Sequence, residues 1–132
     1  MRYLLDTNIV SDLVRNPQGT IATRIAKLGE DSIFTSIVVT AELYFGLARN
    51  RSDRLAGQLE TVLSGLDIQP WDAPADERYG EIRAFLQGKG KLIGANDLFI
   101  AAHALALDAT LVSDNTREFS RVPGLKLENW LR

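Results

Sequence analysis

The sequence predicts an α/β protein in which helices cover both faces of a central, mostly parallel sheet of four to five strands. Short apolar runs such as Tyr3–Leu5 and Thr110–Val112 alternate with longer segments whose apolar residues follow helical spacing. Strands of a parallel sheet are buried on both sides and are therefore apolar throughout, whereas the covering helices have one apolar face. A length of 132 residues without a repeat or linker fits one domain over residues 1–132.

Local signals predict the elements in the first part of the chain. Tyr3–Leu5 is the first strand, and a brief helix follows over Ile9–Val14. Pro17 suits the start of a second helix, which Gly29 ends. The apolar run Ile33–Thr35 predicts the second strand.

The remaining elements follow from caps and periodicity. Ser36 can cap a helix that runs to about Arg49, and Ser52 can cap the next one. Pro74 opens a helix with four side chains facing inward, namely Tyr79, Ile82, Phe85 and Leu86. Asp97 lies at the start of an almost wholly apolar helix. The other predicted strands are Asp67–Trp71, Thr110–Val112 and Leu125–Leu127.

The composition gives no sign of a membrane or secreted protein. The hydrophobic fraction of 45% and the charged fraction of 24% are ordinary for a globular chain. No apolar run reaches the roughly 18 residues of a membrane span. The first residues also lack the long apolar stretch of a secretory signal. We therefore expect a cytoplasmic protein with no membrane partner.

Cysteine and histidine usage restricts the chemistry. The chain has no cysteine, which excludes disulfides, thiolate metal sites and a cysteine nucleophile. His103 is the only histidine, so zinc sites built on several histidines are excluded as well. A bound metal would need oxygen ligands, which favours a hard ion such as Mg²⁺, Mn²⁺ or Ca²⁺. We expect His103, which lies in an apolar helix, to pack in the core or at an interface.

The net charge of −2 offers no overall basic field for nucleic acid. Two local groups of basic residues exist, one of Arg49, Arg51 and Arg54 and one of Arg78, Arg83, Lys89 and Lys91. Such groups are usually solvated helix surface. The charge alone therefore argues weakly against a nucleic-acid partner and does not exclude one.

Four of the 17 acidic residues lie in apolar surroundings. Asp6 and Asp114 close apolar strands, Glu42 lies within a largely apolar helix, and Asp97 opens another. Because ligands bind beyond the carboxyl ends of parallel strands, Asp6, Asp114 and Asp97 are expected at one crevice. Two carboxylates about 4 Å apart repel by about 4 kcal/mol at an effective dielectric constant of about 20. A cluster of three or four would therefore need a divalent cation.

Each aspartate also has a purely structural interpretation. Asp6 could form a turn with Asn8, Asp97 could cap its helix, and Asp114 could be a turn residue. For any one of them alone the two interpretations are equally good. Glu42 differs, because a glutamate surrounded by valine, leucine and aromatic residues gains little from capping. Together, the four acids favour a metal site.

Four motifs in order resemble those of PIN-domain proteins, specifically VapC-type toxins of bacterial toxin–antitoxin pairs. They are Tyr3–Asn8, Ser36–Gly46, Gly94–Ala104 and Leu111–Phe119, followed by Val122–Leu125 and Glu128–Trp130, which also fit. The resemblance covers the chain from end to end. It implies a three-layer PIN-like sandwich and metal-dependent, endonucleolytic cleavage of RNA that leaves a 5′-phosphate and a 3′-hydroxyl.

The resemblance also implies roles for individual residues. Asp6 and Asp97 would be the principal ligands of Mg²⁺ or Mn²⁺, directly or through water. Glu42 would complete the acidic site as a ligand or by orienting the attacking water. The fourth acidic position of many PIN domains falls on Asn115, which leaves the number of ions open. Its neighbour Asp114 is the alternative for that position, by a small shift of the backbone.

Two polar residues are expected to support the acids. Ser113 takes the place of a threonine that is frequent in the family and could hydrogen-bond an acid. Asn8 could support Asp6 through a hydrogen bond, although a plain helix cap is an equally good interpretation of this residue.

The resemblance implies partners as well. The expected protein is a toxin that cleaves cellular RNA, with transfer RNA as a candidate, inhibits translation and is neutralised by a cognate VapB-type antitoxin. The antitoxin would lie along the groove and the apolar helix surface near Tyr44, Phe45 and Leu47. A homodimer is also expected.

Three alternatives compete with this hypothesis. A phosphatase of the haloacid dehalogenase type needs a second aspartate two residues after the first, where this chain has Asn8. A receiver domain gives no reason for Glu42 on a helix. A catalytically silent PIN module that binds RNA or a protein partner stays open, and Asn115 and the negative net charge support it.

Overall fold

The computed structural model describes residues 1–132 and contains one sheet of five strands. The strands are β1 (Tyr3–Leu5), β2 (Ile33–Ser36), β3 (Asp67–Gln69), β4 (Thr110–Val112) and β5 (Leu127–Glu128). Their spatial order is β3-β2-β1-β4-β5, and every neighbouring pair is parallel. The predicted α/β class with a parallel sheet of four to five strands is confirmed.

Seven α-helices connect and cover the strands. They are α1 (Thr7–Arg15), α2 (Thr20–Leu28), α3 (Ile37–Arg49), α4 (Asp53–Ser64), α5 (Ala75–Gly88), α6 (Ala95–Ala106) and α7 (Thr116–Phe119), with a 3₁₀ turn at Glu30–Ser32. Helix α1 packs against α2, α3 and α4, while α5 and α6 pack against each other. No helix combines the length and the apolar character that a membrane crossing requires.

The central strand β1 is the most deeply buried part of the sheet. Leu4 and Leu5 point to opposite faces and are both completely buried, so helices cover both faces of the sheet. The edge strands β3 and β5 are short and only partly buried. The core therefore lies on both sides of β1, β2 and β4.

The carboxyl ends of the central strands form one edge of the sheet. The backbone N–H of Asp6 donates to the carbonyl of Val112 at 2.9 Å, which aligns the ends of β1 and β4. The chain proceeds from β1 to β2 and β3 on one side and then crosses to β4 and β5 on the other. In such sheets the crevice for ligands forms where the strand order reverses, here between β1 and β4.

The predicted helix caps are present. The Oγ of Ser36 accepts a hydrogen bond from the N–H of Val38 at 3.0 Å. The Oγ of Ser52 accepts one from the N–H of Leu55 at 3.3 Å. Each serine satisfies a backbone donor that the first turn of a helix leaves without an intrahelical partner.

Two of the predicted positions are wrong. Pro17 lies in a turn that closes through a hydrogen bond from the N–H of Gly19 to the carbonyl of Asn16, and α2 begins only at Thr20. The second position of a turn suits the fixed φ of proline as well as a helix start does. Phe85 is 45% exposed, because it lies at the margin of the buried face of α5.

Two strand boundaries also differ from the prediction. The third strand ends at Gln69 instead of Trp71, and the last strand covers Leu127–Glu128 instead of Leu125–Leu127. Both are edge strands with a partner on one side only, so their ends depend on a few ladder hydrogen bonds that periodicity does not reveal.

Candidate active site

A polar cleft of about 420 Å³ opens at the carboxyl edge of the sheet. The eight residues that line it are all polar or charged: Asp6, Thr7, Asn8, Ser11, Arg15, Glu42, Asp97 and Asn115. They come from the end of β1, from α1, α3 and α6, and from the loop after β4. The fold therefore brings Asp6, Glu42 and Asp97 together from three distant parts of the chain.

Asp6 provides the most buried acid of the cleft. It is 4% exposed, and its Oδ2 accepts a hydrogen bond from the Oγ of Ser113 at 2.7 Å. Its backbone carbonyl begins α1, but its side chain makes no capping hydrogen bond. Burial raises the pKa of Asp6, and the nearby charge of Glu42 raises it further, against the hydrogen bonds from Ser113 and Thr7.

Glu42 enters the cleft from the middle of α3. The Oγ1 of Thr7 donates to its Oε1 at 2.6 Å, and the Nδ2 of Asn96 donates to its Oε2 at 3.3 Å. Both donors are neutral and come from other helices, α1 and α6. They orient the carboxylate without removing its charge, which explains how an acid is held in a largely apolar helix.

Asp97 is the third residue of α6 and not its cap, since Gly94 occupies that position. The Nδ2 of Asn115 donates to its Oδ2 at 3.1 Å. Burial raises the pKa of Asp97 to about 7, and the charges of Asp6, Glu118 and Glu42 contribute to the increase. The side chain therefore gains a proton readily while no cation balances the neighbouring charges.

The loop after β4 connects two of the acids. The Oγ of Ser113 donates to Asp6 and accepts from the backbone N–H of Asn115 at 3.0 Å. Asn115 in turn contacts Asp97 through its side chain. The expected hydrogen bond from Ser113 to an acid is thus present, and Asn115 occupies the fourth position of the cleft.

The structure places Asp114 outside the cleft, contrary to the expectation that it could replace Asn115. Its Oδ1 accepts hydrogen bonds from the Nδ2 of Asn129 and the Nε of Arg132, each at 2.9 Å. These donors lower the pKa of Asp114. In the turn after β4, Asn115 faces the cleft and contacts Asp97, whereas Asp114 faces Asn129 and Arg132.

The side chain of Asn8 makes a contact that neither of its two sequence-based interpretations described. The Oδ1 of Asn8 accepts a hydrogen bond from the backbone N–H of Asp114 at 3.1 Å. Asn8 therefore connects the start of α1 to the loop after β4, and it also lines the cleft.

His103 is a core residue and lies away from the cleft, as expected. It is 2% exposed, and its Nδ1 is 2.8 Å from the Oγ of Ser36. Burial lowers the pKa of His103, which favours the neutral ring.

Four residues at the site were not predicted from the sequence. Thr7, Ser11 and Arg15 are spaced four residues apart along α1, so they share one face of that helix. Asn96 directly precedes Asp97 and contacts Glu42. The spacing along α1 was visible in the sequence, but a polar stripe on a helix is also what any solvated face shows.

An apolar pocket adjoins the polar cleft along α1, α3 and α4. Five of the side chains that line it are apolar: Val14, Leu43, Leu47, Leu55 and Leu59. It shares Thr7, Ser11, Arg15 and Glu42 with the cleft. Tyr44 and Phe45 lie nearby on α3 and are 54% and 66% exposed. The two surfaces form one continuous groove.

The chemistry of the cleft suits a hard divalent cation. Its acidic side chains are all carboxylates, and burial together with the charges of Asp6, Glu118 and Glu42 raises the pKa of Asp97. No three acidic or histidine side chains lie close enough to form a ready-made ligand cluster. Mg²⁺ does not require one, because it usually keeps several waters and takes only one or two carboxylates.

Comparison with known proteins identifies the family. A model of the PIN domain matches residues 3–125. The chain is 39% identical to Ribonuclease VapC2 of Rickettsia felis over 98% of both chains. It is 34% identical to the tRNA(fMet)-specific endonuclease VapC of Shigella flexneri, again over 98% of both chains.

The fold comparison agrees with the sequence comparison. The crystal structure of VapBC2 from Rickettsia felis bound to a DNA fragment from their promoter contains a chain that superposes with a TM-score of 0.92. That chain is 39% identical, and the match covers 98% of this chain and 99% of that one. This protein therefore belongs to the PIN-domain family and, within it, to the VapC ribonucleases.

Proposed function

We propose that this protein is an endoribonuclease that requires Mg²⁺ or Mn²⁺ and acts as the toxin of a toxin–antitoxin pair. One observation carries the proposal: the carboxylates of Asp6, Glu42 and Asp97 line a single polar cleft, although they come from distant segments. Only neutral side chains hydrogen-bond these acids, so their negative charge is available to a cation.

Asp6 and Asp97 would hold the metal, with Glu42 completing the acidic site. When bound, Mg²⁺ or Mn²⁺ would make a water molecule more acidic and neutralise negative charge that develops on the scissile phosphate. All three acids must be ionised for this role. The raised pKa values of Asp6 and Asp97 mean that cation binding and proton release are coupled.

The surrounding residues position these groups. Ser113 fixes one oxygen of Asp6, and Asn115 fixes one oxygen of Asp97. Thr7 and Asn96 each hold one oxygen of Glu42, which leaves the remaining lone pairs of this carboxylate free to accept a hydrogen bond from the attacking water.

Arg15 is the only cationic residue that lines the cleft. A guanidinium at the margin of an acidic site can bind a phosphate next to the scissile one, because it forms paired, charge-assisted hydrogen bonds. We therefore assign it a role in substrate binding and not in the chemical step.

The proposed substrate is cellular RNA, with transfer RNA as the first candidate. A relative of the same length is named as a tRNA(fMet)-specific endonuclease, and this name supports the choice. Cleavage of a transfer RNA would inhibit translation. The proposed place of action is the cytoplasm, where this substrate is found.

The proposed partner is a VapB-type antitoxin. Solved structures of similar chains are described as VapBC assemblies, which supports a partner of this kind. The apolar pocket and the exposed Tyr44 and Phe45 suit an apolar segment of that antitoxin, and a basic side chain could continue into the acidic cleft. A homodimer stays a prediction.

The enzymatic proposal is tested by cleavage of purified RNA, including initiator tRNA, with Mg²⁺ or Mn²⁺ and with EDTA. The Asp6→Asn and Asp97→Asn variants should lose at least about 10³-fold in rate, since a metal contributes several kcal/mol to the transition state. Asp76→Asn is the matched control, because Asp76 lies in the first turn of α5 as Asp97 does in α6.

Cleavage that survives EDTA or both substitutions would overturn the proposed mechanism. If the protein binds RNA or the antitoxin but yields no product with either Mg²⁺ or Mn²⁺, it is instead the catalytically silent module. Product ends carrying a 5′-phosphate and a 3′-hydroxyl are the expected result for the active enzyme.

A further inference from the structure

We propose that Asp114 is a positioning residue that anchors the Ser113–Asn115 turn to the segment Asn129–Arg132 and thereby holds the turn against Asp6 and Asp97. The inference rests on the proposed function of the cleft. It assigns a role to the one acid of the four that does not line it.

Asp114 lies between two residues that each touch a cleft acid. Ser113 donates to Asp6 at 2.7 Å, and Asn115 donates to Asp97 at 3.1 Å. A displacement of this turn would therefore alter both contacts together. No other residue of the chain lies between two such contacts in sequence.

The side chain of Asp114 points away from the cleft toward a different part of the chain. Its Oδ1 accepts from Asn129 and from Arg132 at 2.9 Å, and its Oδ2 is 3.4 Å from the Nη2 of Arg132. Its backbone N–H donates to Asn8 at 3.1 Å, at the start of α1. Asp114 thus connects the turn to the start of α1 and to the segment that follows β5.

The local turn does not account for these contacts. An aspartate in a turn commonly accepts a hydrogen bond from the backbone N–H two residues ahead. Here that arrangement belongs to Ser113, whose Oγ accepts from the N–H of Asn115. The carboxylate of Asp114 is left to reach Asn129 and Arg132.

The anchoring segment is itself fixed. Trp130 is 2% exposed, and its ring centroid is 5.4 Å from that of Tyr3 on β1. The Oδ1 of Asn129 accepts from the N–H of Leu131 at 2.9 Å, which holds the amide that contacts Asp114. A rigid anchor can transmit its position to the turn.

Asn129 should contribute more to the anchor than Arg132. The Arg132 side chain is 77% exposed, and exposed ion pairs contribute little. The geometry requires an oxygen acceptor at Asp114 and not its negative charge. Asp114→Asn retains Oδ1 as an acceptor for both donors, whereas Asp114→Ala removes it.

The experiment compares kcat and KM for RNA cleavage in Asp114→Ala, Asp114→Asn, Asn129→Ala and Arg132→Ala. Loss of groups that support ligands typically costs 10- to 100-fold. We expect kcat to fall about 10- to 100-fold in Asp114→Ala, about 10-fold in Asn129→Ala and at most about threefold in the other two, with KM nearly unchanged.

Lys126→Ala is the matched control. Lys126 forms an ion pair with Asp108 at 3.0 Å at the amino ends of β4 and β5, whereas the cleft lies at the carboxyl ends. The variant therefore removes a comparable pair far from the cleft. Its kcat should equal that of the unmodified protein.

A second measurement does not depend on activity. In metal-free protein, the side-chain amide NMR signal of Asn115 should shift in Asp114→Ala and Asn129→Ala and stay in place in Asp114→Asn. Asn129→Ala keeps the proposal testable if Asp114→Ala does not fold.

The outcomes separate this inference from the proposed function. If Asp6→Asn is inactive while Asp114→Ala and Asn129→Ala cleave within about twofold of normal, the anchor is refuted and the nuclease stands. If Asp114→Asn is as defective as Asp114→Ala, an oxygen acceptor at this position is not sufficient, and the anchor as proposed is refuted. If Asp6→Asn is fully active, the proposed function fails first.

Discussion

The cleft acids at the carboxyl ends of the strands differ from the charged side chains at the amino ends in how their charge is balanced. At the amino ends, Arg2 pairs with Asp67 at 3.8 Å and Lys126 pairs with Asp108 at 3.0 Å, all on the surface. At the carboxyl ends, the acids of the cleft form no ion pair and accept hydrogen bonds from hydroxyl and amide groups.

This difference distinguishes charges that only form surface ion pairs from charges that are available to bind a ligand. An ion pair neutralises a carboxylate, whereas a neutral donor orients it and leaves its charge in place. Keeping uncompensated carboxylates close together in a partly buried cleft costs stability. A fold accepts this cost where the charge is needed to bind something, and burial together with the neighbouring charges raises the pKa of Asp97 in this cleft.

The largest effect should come from removing one charge at the cleft while keeping the size of the side chain. Glu42→Gln retains an acceptor for Thr7, but its amide nitrogen replaces the oxygen that accepts from Asn96. We expect the cleavage rate to fall by about 10²-fold or more, the range typical of a lost acid–base group. Asp67→Asn, the control at the amino end, should cleave normally. A cleavage rate of Glu42→Gln within threefold of the unmodified protein would show that the charge of this residue is not needed.

Stability should respond to pH because of the same uncompensated charge. The pKa of Asp97 rises from 3.8 to about 7 on folding, so between these values the folded protein retains a proton that the unfolded chain has lost. In metal-free protein, stability contributed by this group therefore falls as the pH rises through that window and stays low above it.

Asp97→Asn should cancel this loss. We expect its Tm in EDTA to exceed the normal value by about 3 °C at pH 8 and to match it near pH 4. Mg²⁺ should raise the Tm of the unmodified protein and not that of the variant, because only a state that binds the ion is stabilised. Equal melting curves at pH 8 would contradict the proposed cost.

A smaller effect should follow from loosening one acid without touching its charge. Thr7→Val removes the 2.6 Å hydrogen bond to Glu42 and keeps the size of the side chain. We expect a loss of about 10-fold in kcat, with recovery in Thr7→Ser. Thr23→Val on α2, which removes a hydroxyl contact to the carbonyl of Gly19 just before that helix, is the control and should behave normally. A normal kcat in Thr7→Val would show that the helices alone position Glu42.

The sequence was sufficient for features that depend on local chemistry. The strands and the serine caps could be predicted because apolar runs and capping residues act over a few neighbours. Asp6, Glu42 and Asp97 could be singled out because each acid borders or lies within an apolar segment, and because they fall in motifs that resemble those of PIN domains. Their common cleft followed from the parallel sheet, whose strand ends meet at one edge.

Other features depend on contacts that a local pattern does not contain. The choice between Asp114 and Asn115 is decided by which side of the turn faces Asn129, a residue far along the chain. The margin of the buried face of α5 left Phe85 exposed, although its spacing fits the apolar stripe. In the sequence, the polar face of α1 has the same pattern as any solvated helix surface. Only the folded structure shows that Glu42 of α3 and Asp97 of α6 lie in the same cleft.

The smallest effect should come from the single cation of the cleft, Arg15. Because we assign Arg15 to phosphate binding, Arg15→Gln should raise KM about fivefold and leave kcat unchanged, as loss of uniform binding does. The difference should shrink in high salt, which screens exposed charges. Lys27→Gln, at the end of α2, is the control and should leave KM unchanged. If kcat fell instead, Arg15 would stabilise the transition state. The positive charge of its guanidinium would then take part in the chemical step, contrary to the role assigned here.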